Sequence, residues 1–206
     1  MAPPYKLTYF DIHGLAEPIR ILLNYGGLDF EDYRVPRENF RNLKSNFPFG
    51  QVPVLEYNGK MYHQSLAICR YLARKVKLTG KDDEEDLEID AIVDTISDFR
   101  TKIAKYHYEG DETANKEAYE KTLFSEIVPY YLEKLDNQAK ENGGYLVGKK
   151  LTWADIVLIG LIDYMNFMAK KDLLAGSPNL QKIKEHVAEV PNVKKYFEIR
   201  SNNHIL

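Results

Sequence analysis

Three acidic side chains recur at every fourth position near the middle of the chain. Asp90, Asp94 and Asp98 fall on one face of a predicted helix, away from its apolar stripe. Such a row of carboxylates could bind an ammonium group. It could equally be a solvated face, with an ion pair between Asp98 and Lys102.

A serine comes directly after a predicted β-hairpin and before an apolar helical pattern. Ser65 is placed to cap that helix, because a serine hydroxyl accepts a hydrogen bond from the N–H groups of a first turn. The same helix start attracts anions, since its N–H groups and its dipole favour negative charge. A structural cap and an anion ligand are compatible roles for this residue.

Other reactive residue types carry weaker signals. Thr152 and Asp155 have the spacing of a capping box, so we interpret this pair as structural. Cys69, the single cysteine, lies beside the apolar face of a predicted helix and is expected to be an inert core residue. His13 and His63 have no histidine or cysteine at ligand spacing, so the sequence predicts no metal site.

The pattern before Gly80 is predicted to be βαβαββα. A helix with Pro18 near its start is expected to end at Gly26. A strand from Val52, a type I′ turn at Asn58-Gly59 and a returning strand make a hairpin. The other segments of this half are strands at Tyr5–Phe10 and Phe30–Val35, a polar and partly helical segment up to Asn46, and a helix ending near Lys77.

After Gly80 and an acidic stretch, the pattern becomes wholly helical. We therefore expect two domains, an α/β domain over residues 1–79 and an all-α domain over residues 80–206. The first helix of the second region is long. Its apolar stripe is predicted to comprise Ile89, Ile92, Val93, Ile96, Phe99 and Ile103.

Composition and charge bear on the binding partners and the location of the protein. Lys and Arg number 28 against 31 Asp and Glu, a net charge of −3, and the basic residues are scattered, so we expect no binding to nucleic acid. One cysteine excludes an internal disulfide and indicates a reducing compartment. The lack of a leader-like start and of a long apolar run predicts a cytoplasmic protein that does not enter membranes.

Motifs along nearly the whole chain resemble the sigma class of cytosolic glutathione transferases. The run Tyr-Lys-Leu-Thr-Tyr-Phe, ending at Phe10, precedes Gly14 and the run Ala-Glu-Pro-Ile-Arg, ending at Arg20. The run Pro-Phe-Gly-Gln-Val-Pro, ending at Pro53, and the pair Gln64-Ser65 follow. The resemblance implies the glutathione transferase fold, in which a thioredoxin-like α/β domain precedes an all-α domain.

In that family the tyrosine ending the first strand is catalytic, which here is Tyr9. A free thiol with a pKa of about 8.5 is only a few per cent thiolate at neutral pH, and the thiolate is the nucleophile. A phenolic O–H donated to sulfur favours the anion. Lowering the thiol pKa by about 2 units takes roughly 3 kcal/mol, which one charge-assisted hydrogen bond can largely supply. Without the resemblance, a tyrosine at a strand end is interpreted as packing.

The resemblance also assigns glutathione contacts and a quaternary structure. Val52, before the family's cis-proline, is implied to pair with glutathione like an added strand, while the sequence leaves the isomer of the bond open. Asp98 is implied to approach the glutathione of the partner subunit in a two-fold homodimer, with Phe49 at its interface. The implied glutathione-binding residues are Tyr9, Phe40, Lys44, Gly50, Gln51, Val52, Pro53, Gln64, Ser65 and Asp98.

The second substrate implied is a small hydrophobic electrophile, lipid peroxidation products included. The family's prostaglandin D synthases shape this pocket with an arginine and a tryptophan, where the present chain has Leu15 and Lys105. A glutathione-dependent prostaglandin isomerase or peroxidase, and a non-catalytic crystallin-like or ligand-binding protein, stay open as alternatives. No metal is expected to be required, and divalent metal at Asp94 and Asp98 stays open. The implied electrophile-site residues are Phe10, Ile12, Leu15, Arg100, Tyr106 and Tyr108.

Overall fold

The computed structural model describes residues 3–108 and 116–200. These residues form two compact units. The first contains the described parts of Met1–Leu78 and Ala188–Leu206, and the second contains the described parts of Thr79–Val187. This division groups the last helix with the amino-terminal half, whereas the predicted domains divide the chain once, between residues 79 and 80.

The first unit follows the predicted βαβαββα order and adds a last helix. Its four-stranded sheet has the order β2-β1-β3-β4, in which β1 pairs in parallel with β2 and antiparallel with β3. The elements are β1 (Tyr5–Phe10), α1 (Glu17–Tyr25), β2 (Phe30–Val35), α2 (Arg37–Leu43), β3 (Val54–Tyr57), β4 (Lys60–His63), α3 (Ser65–Val76) and, after the second unit, α9 (Pro191–Ile199).

The core of the first unit is built on the central strand β1 and on α1 and α3. Leu7 and Tyr9 of β1 are buried, and β1 pairs with a strand on each side. Ile19 of α1 and Leu72 of α3 are fully buried where these helices pack together. Cys69 is also fully buried, as predicted, and burial raises the pKa of its thiol, which keeps it protonated.

The hairpin is confirmed, although its first strand begins at Val54 instead of Val52. Asn58 and Gly59 both have positive φ angles, of 50° and 72°, as a type I′ turn requires. Between the 3₁₀ turn at Pro48–Gly50 and the hairpin, the Val52-Pro53 peptide bond is cis. Pro53 has no backbone N–H to donate to a β-ladder, and the strand starts at the next residue, Val54.

The predicted N-cap role of Ser65 is wrong by one residue. The N-cap is Gln64, with φ 71° and ψ 106°, and Ser65 is the first helical residue. The Gln64 side chain makes no capping hydrogen bond to the helix. The helix therefore begins after a non-glycine residue with a positive φ, a sparsely populated conformation that occurs preferentially at functional sites.

Among its described residues the second unit contains helices joined by turns and no strand, as predicted. α4 packs against α7, and α7 is apolar and buried around most of its circumference. Of the predicted α4 stripe, Ile92 is half-buried and the other five residues are buried. The elements are α4 (Asp83–Tyr108), α5 (Lys116–Thr122), a π-helical turn (Leu123–Ile127), α6 (Val128–Glu141), α7 (Trp153–Ala169) and α8 (Pro178–Glu189).

The capping box at the start of α7 is confirmed. The Thr152 backbone N–H donates to Asp155 Oδ2 at 2.8 Å, and the Thr152 side chain accepts the reciprocal bond from the Asp155 backbone N–H. Asp155 Oδ1 accepts a further bond from the Leu146 N–H at 2.8 Å. This carboxylate therefore joins the loop before α7 to its first turn.

Among the described helices, none is long and apolar enough to cross a membrane.

Candidate active site

Tyr9 lies on the central strand with its side chain 5% exposed. Its hydroxyl oxygen accepts a hydrogen bond from the backbone N–H of Leu15, with an N-to-O distance of 3.2 Å. A phenolic oxygen that accepts a bond still carries one hydrogen to donate. The Leu15 N–H therefore orients the hydroxyl of Tyr9, the residue that the family resemblance implies to be catalytic.

A short 3₁₀ turn, Gly14–Ala16, brings the Leu15 N–H to Tyr9. Gly14 has a φ of +45°, and a Cβ at this position would lie 2.7 Å from Tyr9 Oη. Both the backbone angle and the close approach require a residue without a side chain. Gly14 belongs to the motif noted in the sequence, but its direct contact with the Tyr9 hydroxyl could not be predicted from the sequence.

Arg20 holds the chain segment just before that turn. Its side chain is fully buried, and Nη1 donates to the carbonyl oxygens of Ile12 at 2.9 Å and of His13 at 3.2 Å. Nε donates to Asp32 of β2, with both oxygens at 3.1 Å. The guanidinium carbon lies 6.0 Å from the centre of the Tyr9 ring. Arg20 was part of a sequence motif but was assigned no role there.

Next to the turn lies a cavity of about 360 Å³. The structure brings to it every predicted glutathione-binding residue of the first unit except Tyr9, whose hydroxyl is bonded to Leu15 of the wall. Its volume falls in the range of small-molecule sites. The lining residues are Phe10, Leu15, Phe40, Lys44, Gly50, Gln51, Val52, Pro53, His63, Gln64 and Ser65.

The polar half of this cavity suits a ligand with carboxylate groups. Lys44 contributes a cation, and the first residue of α3, Ser65, contributes the positive end of a 12-residue helix. Gly50 has a φ of +61°, and a Cβ there would lie 2.9 Å from the Lys44 side chain. The lysine therefore packs closely over a glycine, which fixes the path of its stem.

The other half of the cavity is aromatic and apolar. The Phe10 and Phe40 rings meet edge to face with centroids 4.9 Å apart, and Leu15 lies on the same wall. Ile12, also predicted for the electrophile site, is buried. His63 lines the cavity although the sequence assigned it no role, and its ring packs against Phe49 at 4.9 Å.

The acidic row of α4 lies on the predicted face. Asp94 and Asp98 are exposed, and Asp90 is half-buried. Burial, followed by the charge of Asp98, raises the pKa of Tyr131. Within residues 3–108 and 116–200, no group of three or more His, Cys, Asp or Glu side chains is arranged to hold a metal ion.

The remaining predicted electrophile-site residues lie on the last turns of α4. The Tyr106 ring meets Phe124 edge to face at 5.4 Å, and burial, followed by the charge of Glu120, raises the pKa of Tyr106. The hydroxyls of Tyr108 and Tyr164 are hydrogen-bonded to each other. Arg100 donates to the Thr101 hydroxyl. Tyr164 was missed because its partner on α4 is 56 positions away in the sequence.

The fold is that of a thioredoxin-like domain joined to a helical unit, and comparisons with known proteins give the family. Models of the glutathione S-transferase N-terminal domain and C-terminal domain match residues 5–74 and 97–200. The chain belongs to the glutathione S-transferase family, whose members use glutathione as a co-substrate. It is accordingly an enzyme of the transferase type.

Relatives match over nearly the full length. A glutathione S-transferase of Anopheles gambiae is 50% identical over 198 residues, which cover 96% of this chain and 97% of that protein. Glutathione S-transferase S1 of Drosophila melanogaster is 46% identical over 95% of this chain and 78% of its own length. The solved structure of prostaglandin synthase D of Nilaparvata lugens has a TM-score of 0.91 and 44% identity, and covers 97% of this chain and 99% of that one.

Proposed function

We propose that the chain conjugates glutathione, as its thiolate, to small hydrophobic electrophiles, with Tyr9 as the catalytic hydrogen-bond donor. The observation that carries this proposal is the bond from the Leu15 N–H to the Tyr9 oxygen. This bond fixes the position of the phenolic oxygen beside Leu15, and Leu15 itself lines the cavity. A thiol at this wall would meet an oriented O–H, which favours its anion.

Glutathione binding is assigned to the cavity of the first unit. Val52 lines the cavity just before β3, so its backbone can pair with the cysteinyl part of an extended peptide. Gln64, Ser65 and the start of α3 suit the γ-glutamyl carboxylate. The remaining proposed contacts of this unit are Phe40, Lys44, Gly50 and Gln51, with Asp98 contributed by the partner subunit.

The acceptor is proposed to be apolar, and lipid peroxidation products are the natural class. Phe10, Ile12 and Leu15 supply aromatic and aliphatic surface in the first unit. The residues proposed for the acceptor in the second unit are Arg100, Tyr106 and Tyr108. A role in detoxification follows from this substrate class.

Sigma-class membership and a cytoplasmic location belong to the same proposal. The motifs around Tyr9, Val52-Pro53 and Gln64-Ser65 support the class, as does the similarity to the Drosophila protein designated S1. A single buried cysteine suits a reducing compartment. No metal is proposed to be required, so dialysis against a chelator should leave the conjugation rate unchanged.

Replacing Tyr9 by phenylalanine tests the proposal directly. With a chromogenic aryl halide at neutral pH, Y9F should lower kcat at least tenfold and leave the KM for glutathione within about threefold, because only the donor to sulfur is lost. Tyr33→Phe, an exposed tyrosine on β2, is the matched control and should behave like the parent. Undiminished turnover in Y9F would remove Tyr9 from the mechanism.

A glutathione-dependent prostaglandin isomerase is the second candidate. The similarity to the Nilaparvata prostaglandin synthase favours it, whereas the apolar Leu15 on the cavity wall is less suited to an anionic substrate. Product analysis with aryl halides, alkenals, lipid hydroperoxides and prostaglandin H distinguishes conjugation from isomerase and peroxidase activity. A chain that is stabilised by glutathione but converts none of these acceptors would instead be a ligand-binding protein.

A further inference from the structure

We propose that Tyr196 and Arg200, on and just after α9, are positioning residues for catalysis, because they anchor through Glu17 and Arg20 the turn that orients the Tyr9 hydroxyl. This inference rests on the proposed role of Tyr9. It assigns a catalytic consequence to the carboxyl-terminal end of the described chain, which contributes no residue to the cavity wall of the first unit.

Glu17 is the point at which the last helix meets the catalytic segment. It is the first residue of α1, and its carboxylate is 1% exposed. The Tyr196 hydroxyl lies 2.9 Å and 3.0 Å from its two oxygens and donates its hydrogen to them. Arg200 Nη1 donates to Oε1 at 2.8 Å. A buried carboxylate needs such partners, since desolvation strongly disfavours an unpaired charge.

Arg20 connects Glu17 to the segment just before the Gly14–Ala16 turn. Its Nη1 atom lies 3.3 Å from Glu17 Oε2 and donates to the carbonyl oxygens of Ile12 and His13. These carbonyls immediately precede the turn whose Leu15 N–H meets the Tyr9 oxygen. A displacement of Glu17 would move the guanidinium, then the 12–15 segment, and finally the hydrogen bond to Tyr9.

The charges around Glu17 and Arg20 balance, so the network is stable as a unit. Asp32 accepts from Arg20 and also from Arg34, at 2.8 Å, and Arg34 in turn donates to Asp11 at 3.1 Å. Burial, followed by the charge of Glu17, raises the pKa of Tyr196, which keeps the phenol protonated as a donor. One nitrogen of the network, Arg20 Nη2, is buried without a hydrogen-bond partner among the described residues. The hydrogen bonds of such a buried network depend on one another, so the loss of one member affects the others.

A small displacement of the donor is sufficient to matter. Catalytic groups must be held to within about 0.5 Å of the productive geometry, and an error of about 1 Å can lower a rate by about 100-fold. We therefore expect that removing a partner of the Glu17 carboxylate weakens the hydrogen bond from the Tyr9 hydroxyl to the glutathione sulfur. The glutathione cavity itself should stay intact. The measurable sign is a higher pKa of the bound thiol without a comparable change in glutathione binding.

The experiment compares pH profiles of kcat/KM for an aryl halide at saturating glutathione. Y196F removes one hydroxyl and R200Q removes one cation from Glu17. Both should raise the apparent pKa of the bound thiol by about 0.5, about threefold less thiolate below that pKa, with the KM for glutathione changed less than twofold. Val193→Ala is the control, because it removes buried apolar volume from α9 without touching Glu17.

The outcomes separate this inference from the proposed function. A shift in Y196F or R200Q but not in V193A, at matched folded fraction, supports the positioning role. An equal shift in V193A, or no shift in either network variant while Y9F loses activity, would overturn the positioning role and leave the function of Tyr9 in place. Should Y196F fold poorly, R200Q carries the comparison alone. Undiminished turnover in Y9F would overturn both proposals.

Discussion

The proposed role of Tyr9 depends on the residues around it. Fifteen tyrosines occur in the chain, and their side chains are chemically alike. The Tyr9 oxygen receives the Leu15 N–H, and an O–H whose oxygen accepts a hydrogen bond is polarised toward its own acceptor. The hydroxyl is thereby aimed before any ligand arrives, which is the condition for effective stabilisation of a developing anion.

At the same scale, Gly14 is predicted to be required for activity more than for stability. Gly14→Ala places a Cβ 2.7 Å from the Tyr9 oxygen at a φ of +45°, so the hydroxyl must move, and kcat should fall at least tenfold. Gly143→Ala is the matched control, with a φ of +68° and no atom within 4 Å of the added Cβ. Each variant should lose about 1 kcal/mol of stability to its positive φ, and Gly14→Ala should lose more because its Cβ also meets the Tyr9 ring. Equal kcat values for the two would contradict the account.

The sequence predicted the local features of the elements with unequal success. The hairpin turn at Asn58-Gly59 and the capping pair Thr152 and Asp155 were predicted correctly because each depends on residues within a few positions. The Ser65 cap was misplaced because the positive φ of Gln64 is not encoded by a local preference.

The proposed glutathione-binding residues of the first unit were assigned only through the family motifs, because residues from distant segments line this cavity. The network on Glu17 was missed for a related reason. Tyr196 lies 179 positions from its partner, and neither residue carries a motif that indicates pairing. Contacts of this kind are set by tertiary packing and become visible only in the structure.

At the scale of elements, the capping box of α7 is predicted to stabilise the helical unit. Asp155→Ala would leave the N–H groups of Leu146 and Thr152 without this acceptor, which costs about 2 kcal/mol and lowers the Tm by about 6 °C. Glu88→Ala, an exposed acidic residue of α4, is the control and should change the Tm by less than about 2 °C. Calorimetry that found equal Tm values for the two would contradict a structural role for the box.

At the scale of the whole molecule, the proposed homodimer explains an otherwise unfavourable surface residue. Phe49 is 82% exposed and has a φ of 52°, so the chain presents a large aromatic side chain to solvent from a strained turn. Aromatic anchors of this kind are typical of interface hot spots. Asp98, also exposed, is proposed to serve the partner's glutathione, which would make each site depend on both subunits.

Phe49→Ala is therefore predicted to weaken the dimer by roughly 30-fold, because an interface anchor contributes about 2 kcal/mol or more. Light scattering over a micromolar dilution series measures the change. Ile199→Ala removes an equally exposed apolar side chain from α9 and should leave the dimer unaffected. A parent protein that is monomeric at micromolar concentration would contradict the quaternary structure and the shared role of Asp98.

The ultraviolet difference spectrum of bound glutathione tests the central claim most directly. If Tyr9 donates its phenolic hydrogen to the ligand sulfur, the parent protein saturated with glutathione at pH 7 should show a thiolate absorption band. The Y9F variant, saturated to the same extent, should show that band only at higher pH, displaced by about 2 pH units. Equal thiolate bands for the two proteins at pH 7, or none for the parent, would contradict the account.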